Sequence, residues 1–125
     1  MPVERTLAAY SEEHLNCAQS VLRGFQPHRN IPEDDIIAAR ALGGGRAEAG
    51  LCGALYTALQ LAGGPESRQR LQDAFTAGVG SDKCRDIRRA ARVPCVECVR
   101  IAASLLVEHG CAGPSPADGT KAGQP

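Results

Sequence analysis

Apolar residues recur at the spacing of amphipathic helices along most of the chain. A segment from about residue 51 to 62 is apolar on nearly every side, which predicts a central helix. Residues 3–9 and 12–25 are expected to form two helices separated by a break at Tyr10 and Ser11, with Ser11 capping the second. Further helices are expected at about 32–42, 65–79, 82–92 and 95–109.

Gly43, Gly44 and Gly45 interrupt the helical pattern before the central segment. A glycine inside a helix costs about 1 kcal/mol relative to alanine, and glycine also enters backbone conformations that other residues avoid. The run is therefore either a flexible loop or a place where bare backbone is approached closely. Cys52 and Gly53 follow it at the predicted start of the central helix.

The composition supports an all-α protein, because alanine, leucine and arginine are frequent and only 3% of the 125 residues are aromatic. We expect one compact bundle of five to seven helices over residues 1–110 and a disordered tail over 111–125, where proline, glycine and serine prevail. The formal net charge is zero, which does not favour a nucleic-acid partner. No signal peptide or membrane span is evident, so a cytoplasmic location is expected.

Six cysteines are many for a chain in a reducing compartment, where metal ligation or thiol chemistry is more common than disulfides. Cys52, Cys84 and Cys95 fall at predicted helix N-termini, which stabilise anions such as thiolates. Cys17 is expected in the middle of a helix, at the edge of its buried face. Cys98 and Cys95 lie on one apolar stripe, so inert burial is the competing interpretation.

Cys95 and Cys98 also form a C-x-x-C pair, which occurs in zinc sites, in dithiol oxidoreductases and by chance. The sequence has no second C-x-x-C pair and no histidine spacing typical of zinc ribbons, and no βαβ pattern suggests a thioredoxin fold. A basic run surrounds Cys84. It either forms a solvated helix face, or it lowers the pKa of a thiol or receives an anionic partner. This run consists of Lys83, Arg85, Arg88, Arg89 and Arg92.

Several cysteine-containing stretches resemble the redox-active protein family named for its C_GCAxxG_C_C cysteine pattern. Order and spacing agree with the family from about residue 7 to 106. The matching stretches are Asn16-Cys17-Ala18-Gln19, the glycine run leading to Cys52-Gly53-Ala54, Cys84-Arg85-Asp86-Ile87, and Cys95 followed by Val99-Arg100.

The resemblance implies a small helical redox protein whose motif cysteines are Cys17, Cys52, Cys84 and Cys95, with an iron–sulfur cluster as cofactor. The chain departs from the family pattern at Thr57, where glycine is usual, and in a short segment between the last two motif cysteines. Cys98 stands where the family usually has an apolar residue, and Cys111 lies outside the match.

Three functions follow from these observations. The first is electron transfer or redox sensing through an iron–sulfur cluster held by Cys17, Cys52, Cys84 and Cys95, together with a redox partner protein. The second is metal-free thiol–disulfide exchange, with Cys95 and Cys98 as the catalytic pair. The third is a structural zinc site. The sequence leaves the cluster type, the partner and the oligomeric state open.

Overall fold

The computed structural model describes residues 2–43, 46–91 and 93–110, and within them it is helical with one isolated antiparallel bridge between Leu51 and Lys83. The all-α prediction is confirmed. The expected tail at 111–125, with Cys111, lies outside the described residues. The α-helices are α1 (Pro2–Glu12), α2 (Cys17–Arg29), α3 (Glu33–Ala38), α4 (Gly53–Leu61), α5 (Pro65–Val79), α6 (Cys84–Asp86) and α7 (Cys95–Leu105). Short 3₁₀ segments span Ala39–Leu42 and Glu48–Gly50, and π-helical turns span Ile87–Ala91 and Leu106–Gly110.

Helix α4 contacts α2, α5 and α7, as its nearly uniform apolar character predicts. Its Ala54, Leu55 and Ala58 are fully buried. Helix α1 packs against α2 and α7 on another side of the bundle. Two of the helices that contact α4, namely α2 and α7, carry other cysteines of the chain.

The predicted boundary between the first two helices is wrong. Helix α1 continues through Tyr10 and Ser11, because the Ser11 hydroxyl donates to the Leu7 carbonyl one turn earlier instead of capping a new helix. Helix α2 begins at Cys17 and continues beyond the predicted end, through Pro27, to Arg29. Cys17 is thus the first residue of a helix and not a mid-helix residue.

Asn16 explains why α2 begins where it does. Its side-chain oxygen accepts a hydrogen bond of 2.8 Å from the Gln19 backbone N–H, and the Gln19 side-chain oxygen accepts one of 3.1 Å from the Asn16 N–H. This reciprocal capping box satisfies two amides that a helix start would otherwise leave without partners.

The helix expected at about 32–42 begins at Glu33, with Pro32 as its N-cap residue and the acidic residues 33–35 in its first turn. The Arg23 guanidinium binds both carboxylate oxygens of Glu33, at 2.7 and 2.8 Å, and lowers the pKa of Glu33 to about 2. This contact connects α3 to α2.

No helix of the described residues is both long enough and apolar enough to cross a membrane.

Candidate functional site

Five cysteines line one cavity of about 350 Å³ at the meeting point of α2, α4, α6 and α7. The structure thereby brings together the four cysteines of the family motif and adds a fifth. Apolar side chains and one arginine complete the walls. The lining residues are Cys17, Cys52, Cys84, Cys95 and Cys98 with Ile87, Arg88, Val93 and Pro94.

Each of the four motif cysteines stands at the beginning of a helical segment. Cys17, Cys84 and Cys95 are the first residues of α2, α6 and α7, and Cys52 immediately precedes α4 as its N-cap. Free backbone N–H groups at a helix start favour negative charge, so the positions suit thiolates. Helix α6 has only three residues before the π-helical turn, so its contribution is the weakest.

Two glycines let the start of α2 come close to neighbouring backbone. A Cβ atom on Gly53 would lie 2.7 Å from the Cys17 Sγ and 2.9 Å from the Leu42 carbonyl oxygen. A Cβ on Gly43 would lie 2.8 Å from the Asn16 Nδ2. The close approach expected for bare backbone is therefore present at these two positions, while the other two glycines of the run lie outside the described residues.

The loops that precede Cys52 and Cys84 are held side by side. The Cys52 backbone N–H donates to the Asp82 carbonyl at 2.9 Å, next to the isolated bridge between Leu51 and Lys83. This pairing places the starts of α4 and α6 on the same side of the cavity. It also explains how a three-residue helix keeps its cysteine at the site.

Four of the five thiols form two hydrogen-bonded pairs. Cys17 donates a hydrogen bond to Cys95. This bond is the largest cause, and burial the second, of a pKa for Cys17 far above its usual value. Cys52 donates to Cys98, which raises the pKa of Cys52 and lowers that of Cys98. Cys84 belongs to neither pair, and burial raises its pKa against the opposing charge of Arg88.

Cys95 is the exposed member of the group, although the helical stripe predicted it to be buried. Hydrogen bonds from Cys17 and from Tyr10, together with the Arg88 charge, lower the pKa of Cys95 to about 6 against the effect of partial burial. The hydrogen bond between Tyr10 and Cys95 raises the pKa of Tyr10 to about 12. Cys95 is therefore the thiol of this site that ionises most readily.

Tyr10 is the site residue that sequence reasoning missed. The sequence pattern predicts a helix break at Tyr10, whereas Tyr10 lies inside α1 on the face that packs against the core with Val3 and Leu7. The spacing of these three residues is the helical signal that was available. Tyr10 lines a second cavity of about 380 Å³, which shares Cys17, Arg88 and Cys95 with the first; its other lining residues are His14, Leu15 and Asn16.

The basic run around Cys84 is divided by the structure. Arg85, Arg88 and Arg89 are all exposed to solvent, and of these three arginines Arg88 lines both cavities. Lys83 lies 3.5 Å from the Asp82 carboxylate. Arg92 is outside the described residues. One arginine of the run therefore acts on the thiols directly.

The donor chemistry of the cavity fits an iron–sulfur cluster, because such clusters are held by cysteine thiolates. Within the described part of the chain, no three or more His, Cys, Asp or Glu side chains are grouped closely enough to hold a metal ion as they stand. The thiols are instead engaged with one another in pairs. A single zinc ion would require four of them to converge on one point, whereas a cluster spreads its ligands over several iron atoms.

Thr57, the departure from the family pattern in α4, is buried. Its hydroxyl has no hydrogen-bond partner among the residues that the structure describes. It does not line the thiol cavity. Thr57 therefore belongs to the buried packing of α4 and not to the walls of the site.

A search of the curated proteins and a search of the solved structures found no match to the chain. A protein-family model does match, over residues 15–109, a range that holds all five cysteines of the cavity. Tyr10 and the whole of α1 precede the matched range. The chain belongs to the family whose description reads "Putative redox-active protein (C_GCAxxG_C_C)".

Proposed function

We propose that this redox-family chain binds an iron–sulfur cluster in the thiol cavity, with Cys17, Cys52, Cys84 and Cys95 as ligands, and exchanges electrons with a partner protein. The observation that carries the proposal is that these four cysteines, each at a helix start, line one cavity. Clusters of the [2Fe–2S] and [4Fe–4S] types take four thiolates.

The surroundings of the cavity suit a group that carries negative charge. The four helix starts and Arg88 provide positive potential, and Ile87 and Val93 exclude water from part of the wall. Without a bound metal, hydrogen bonding and burial raise the pKa of Cys17 and of Cys52 and keep both thiols protonated. A bound metal deprotonates coordinating thiols. Ligation would therefore remove the protons through which Cys17 and Cys52 now form hydrogen bonds with Cys95 and Cys98.

A bound cluster would supply one-electron storage, and the chain would tune it. Tyr10 donates a hydrogen bond to the Cys95 sulfur, and hydrogen bonds to ligand sulfurs help to set cluster potentials. Arg88 places a positive charge beside the same sulfur. Both groups stabilise added negative charge and are expected to raise the reduction potential.

A second candidate function, metal-free thiol–disulfide exchange, is favoured by the exposure and low pKa of Cys95. The Cys95 thiolate would attack a substrate disulfide and release one thiolate, which takes up a proton. Cys17 would then lose its proton and attack the Cys95 sulfur, which releases the second substrate thiol and leaves a Cys17–Cys95 disulfide. The hydrogen bonds favour Cys17 over Cys98 as the partner of Cys95 in this reaction.

The deciding experiment is anaerobic purification and reconstitution with iron and sulfide, followed by absorbance, iron and sulfide measurements. Broad visible bands with matched iron and sulfide are expected. A colourless, iron-free protein after reconstitution would refute the cluster and leave the dithiol function. Formation of a Cys17–Cys95 disulfide on titration with oxidised dithiothreitol would then support that second function.

Gly53→Ala tests whether the cavity geometry is what binds the cluster. The added methyl group would occupy the space of the Cys17 sulfur, so we expect lower iron and sulfide content in a protein that remains helical. Gly78→Ala is the matched control, because nothing lies within 4 Å of a Cβ at that position. Equal iron content in both variants would show that the position of Cys17 does not matter for binding.

A further inference from the structure

We infer that Cys98 is a fifth ligand-competent thiol of this site and takes the fourth ligand position when Cys84 is absent. The inference rests on the proposed cluster and assigns a role to a residue outside the four-cysteine motif. A four-thiolate cluster needs one cysteine fewer than the cavity offers. The surplus thiol must therefore either remain free or compete for a position.

Cys98 is placed as a ligand would be. It is 3% exposed, it lines the cavity, and it accepts a hydrogen bond from the motif cysteine Cys52. It also lies three residues after Cys95 in α7, so both thiols face the same side of one helix. Its sulfur is thus already in contact with one proposed ligand and adjacent to a second.

The supports of Cys84 and Cys98 differ in rigidity. Cys84 belongs to the three-residue helix α6, which passes directly into the π-helical turn Ile87–Ala91. Cys98 belongs to the eleven-residue helix α7, whose neighbouring Val99 and Ala102 are fully buried. A short irregular segment adapts more easily than a helix packed in the core. Cys84 is therefore the proposed ligand whose support is least regular, and Cys98 competes with it for the fourth ligand position.

The competition predicts a specific pattern in variants. Cys84→Ser and Cys98→Ser each leave four thiols in the cavity, so each should retain iron and sulfide at close to the wild-type ratio. The double variant leaves three, and its cluster should be lost to a chelator at least about tenfold faster than in either single variant, since even changes behind the ligands cost 10- to 100-fold in affinity. The measurements are iron and sulfide content and the decay of visible absorbance.

Folding controls separate ligation from stability. Ala103→Ser introduces a hydroxyl at another fully buried position of α7 that does not line the cavity, and should retain the cluster. Cys98→Ala replaces the serine variant if the hydroxyl prevents folding. Helical circular dichroism is recorded for every variant.

The inference is overturned if Cys84→Ser alone loses the cluster as fast as the double variant while Cys98→Ser behaves as wild type. That result would leave the proposed cluster intact with Cys84 as an obligatory ligand. A wild-type protein that takes up no iron or sulfide would instead refute the proposed function, and the inference with it.

Discussion

Cys95 combines exposure with two hydrogen bonds to its sulfur, a combination that the other cavity thiols lack among the described residues. Cys17 and Tyr10 donate those bonds and stabilise the thiolate, as does the nearby Arg88. Burial and hydrogen-bond donation have the opposite effect on Cys17 and Cys52, whose pKa values are raised. One cavity thus holds thiols of opposite protonation at neutral pH.

We expect iodoacetamide to label Cys95 first among the five cavity thiols in the metal-free protein, at a rate that rises as the pH increases through about 6. Below this pH the thiol is protonated, and above it the nucleophilic thiolate is present. Cys17 and Cys52 should stay unlabelled at neutral pH. Peptide mapping by mass spectrometry after labelling at a series of pH values provides the measurement.

Tyr10→Phe is the matched variant, because it removes the hydroxyl and keeps the ring. Without the hydrogen bond the Cys95 thiolate is less stable, so the labelling profile should move to higher pH. An unchanged profile would show that Tyr10 does not act on the Cys95 sulfur.

Helix α2 depends on Asn16 at the level of the element. Besides forming the capping box with Gln19, its Nδ2 donates to the Arg40 carbonyl at 2.9 Å and so connects α2 to the 3₁₀ segment before the glycine run. One side chain therefore fixes both where Cys17 begins its helix and how the chain leads towards Cys52.

Asn16→Ala should lower the free energy of unfolding by about 1 to 2 kcal/mol, because it removes a helix cap and a further hydrogen bond. Urea denaturation of the metal-free protein measures this change. Ser11→Ala, at an exposed position in α1, should change stability by less than about 0.5 kcal/mol. Equal effects of the two substitutions would contradict the capping argument.

At the scale of the whole molecule, α1 and α2 contact each other closely at Gly24. A Cβ on Gly24 would overlap the Thr6 side chain and would lie 2.8 Å from the Pro2 carbonyl oxygen. Helix α1 carries Tyr10 to the thiols, so this contact links overall packing to the chemistry of the site.

Gly24→Ala should therefore lower the melting temperature and move the Cys95 labelling profile in the same direction as Tyr10→Phe. Gly78→Ala, in α5 with open space around it, should raise stability by about 0.5 to 1 kcal/mol through its helix propensity. Differential scanning calorimetry and labelling test both. A Gly24→Ala variant as stable as Gly78→Ala would show that α1 packs differently.

The sequence by itself determined most helices from α4 onward and the membership of a redox-active family. Helix α5 begins at Pro65, after Gly64, and helix α7 begins at Cys95, after Pro94, as predicted. Glycine and proline restrict or free their own backbone, so these signals need no tertiary partner. The capping box at Asn16 was also present in the sequence, but Ser11 followed by two glutamates offered a competing helix start. Local signals of similar strength cannot be ranked without the packing that selects between them.

Only the tertiary structure decided how the thiols are arranged. Cys17 and Cys95 lie 78 positions apart in the sequence, and their hydrogen bond exists because α1, α2 and α7 pack together. The same packing exposes Cys95, brings Tyr10 to it and joins Cys98 to Cys52. Helix periodicity reports which side of a helix is apolar, whereas contacts between sulfur atoms depend on the distances and rotations between helices, which no local pattern encodes.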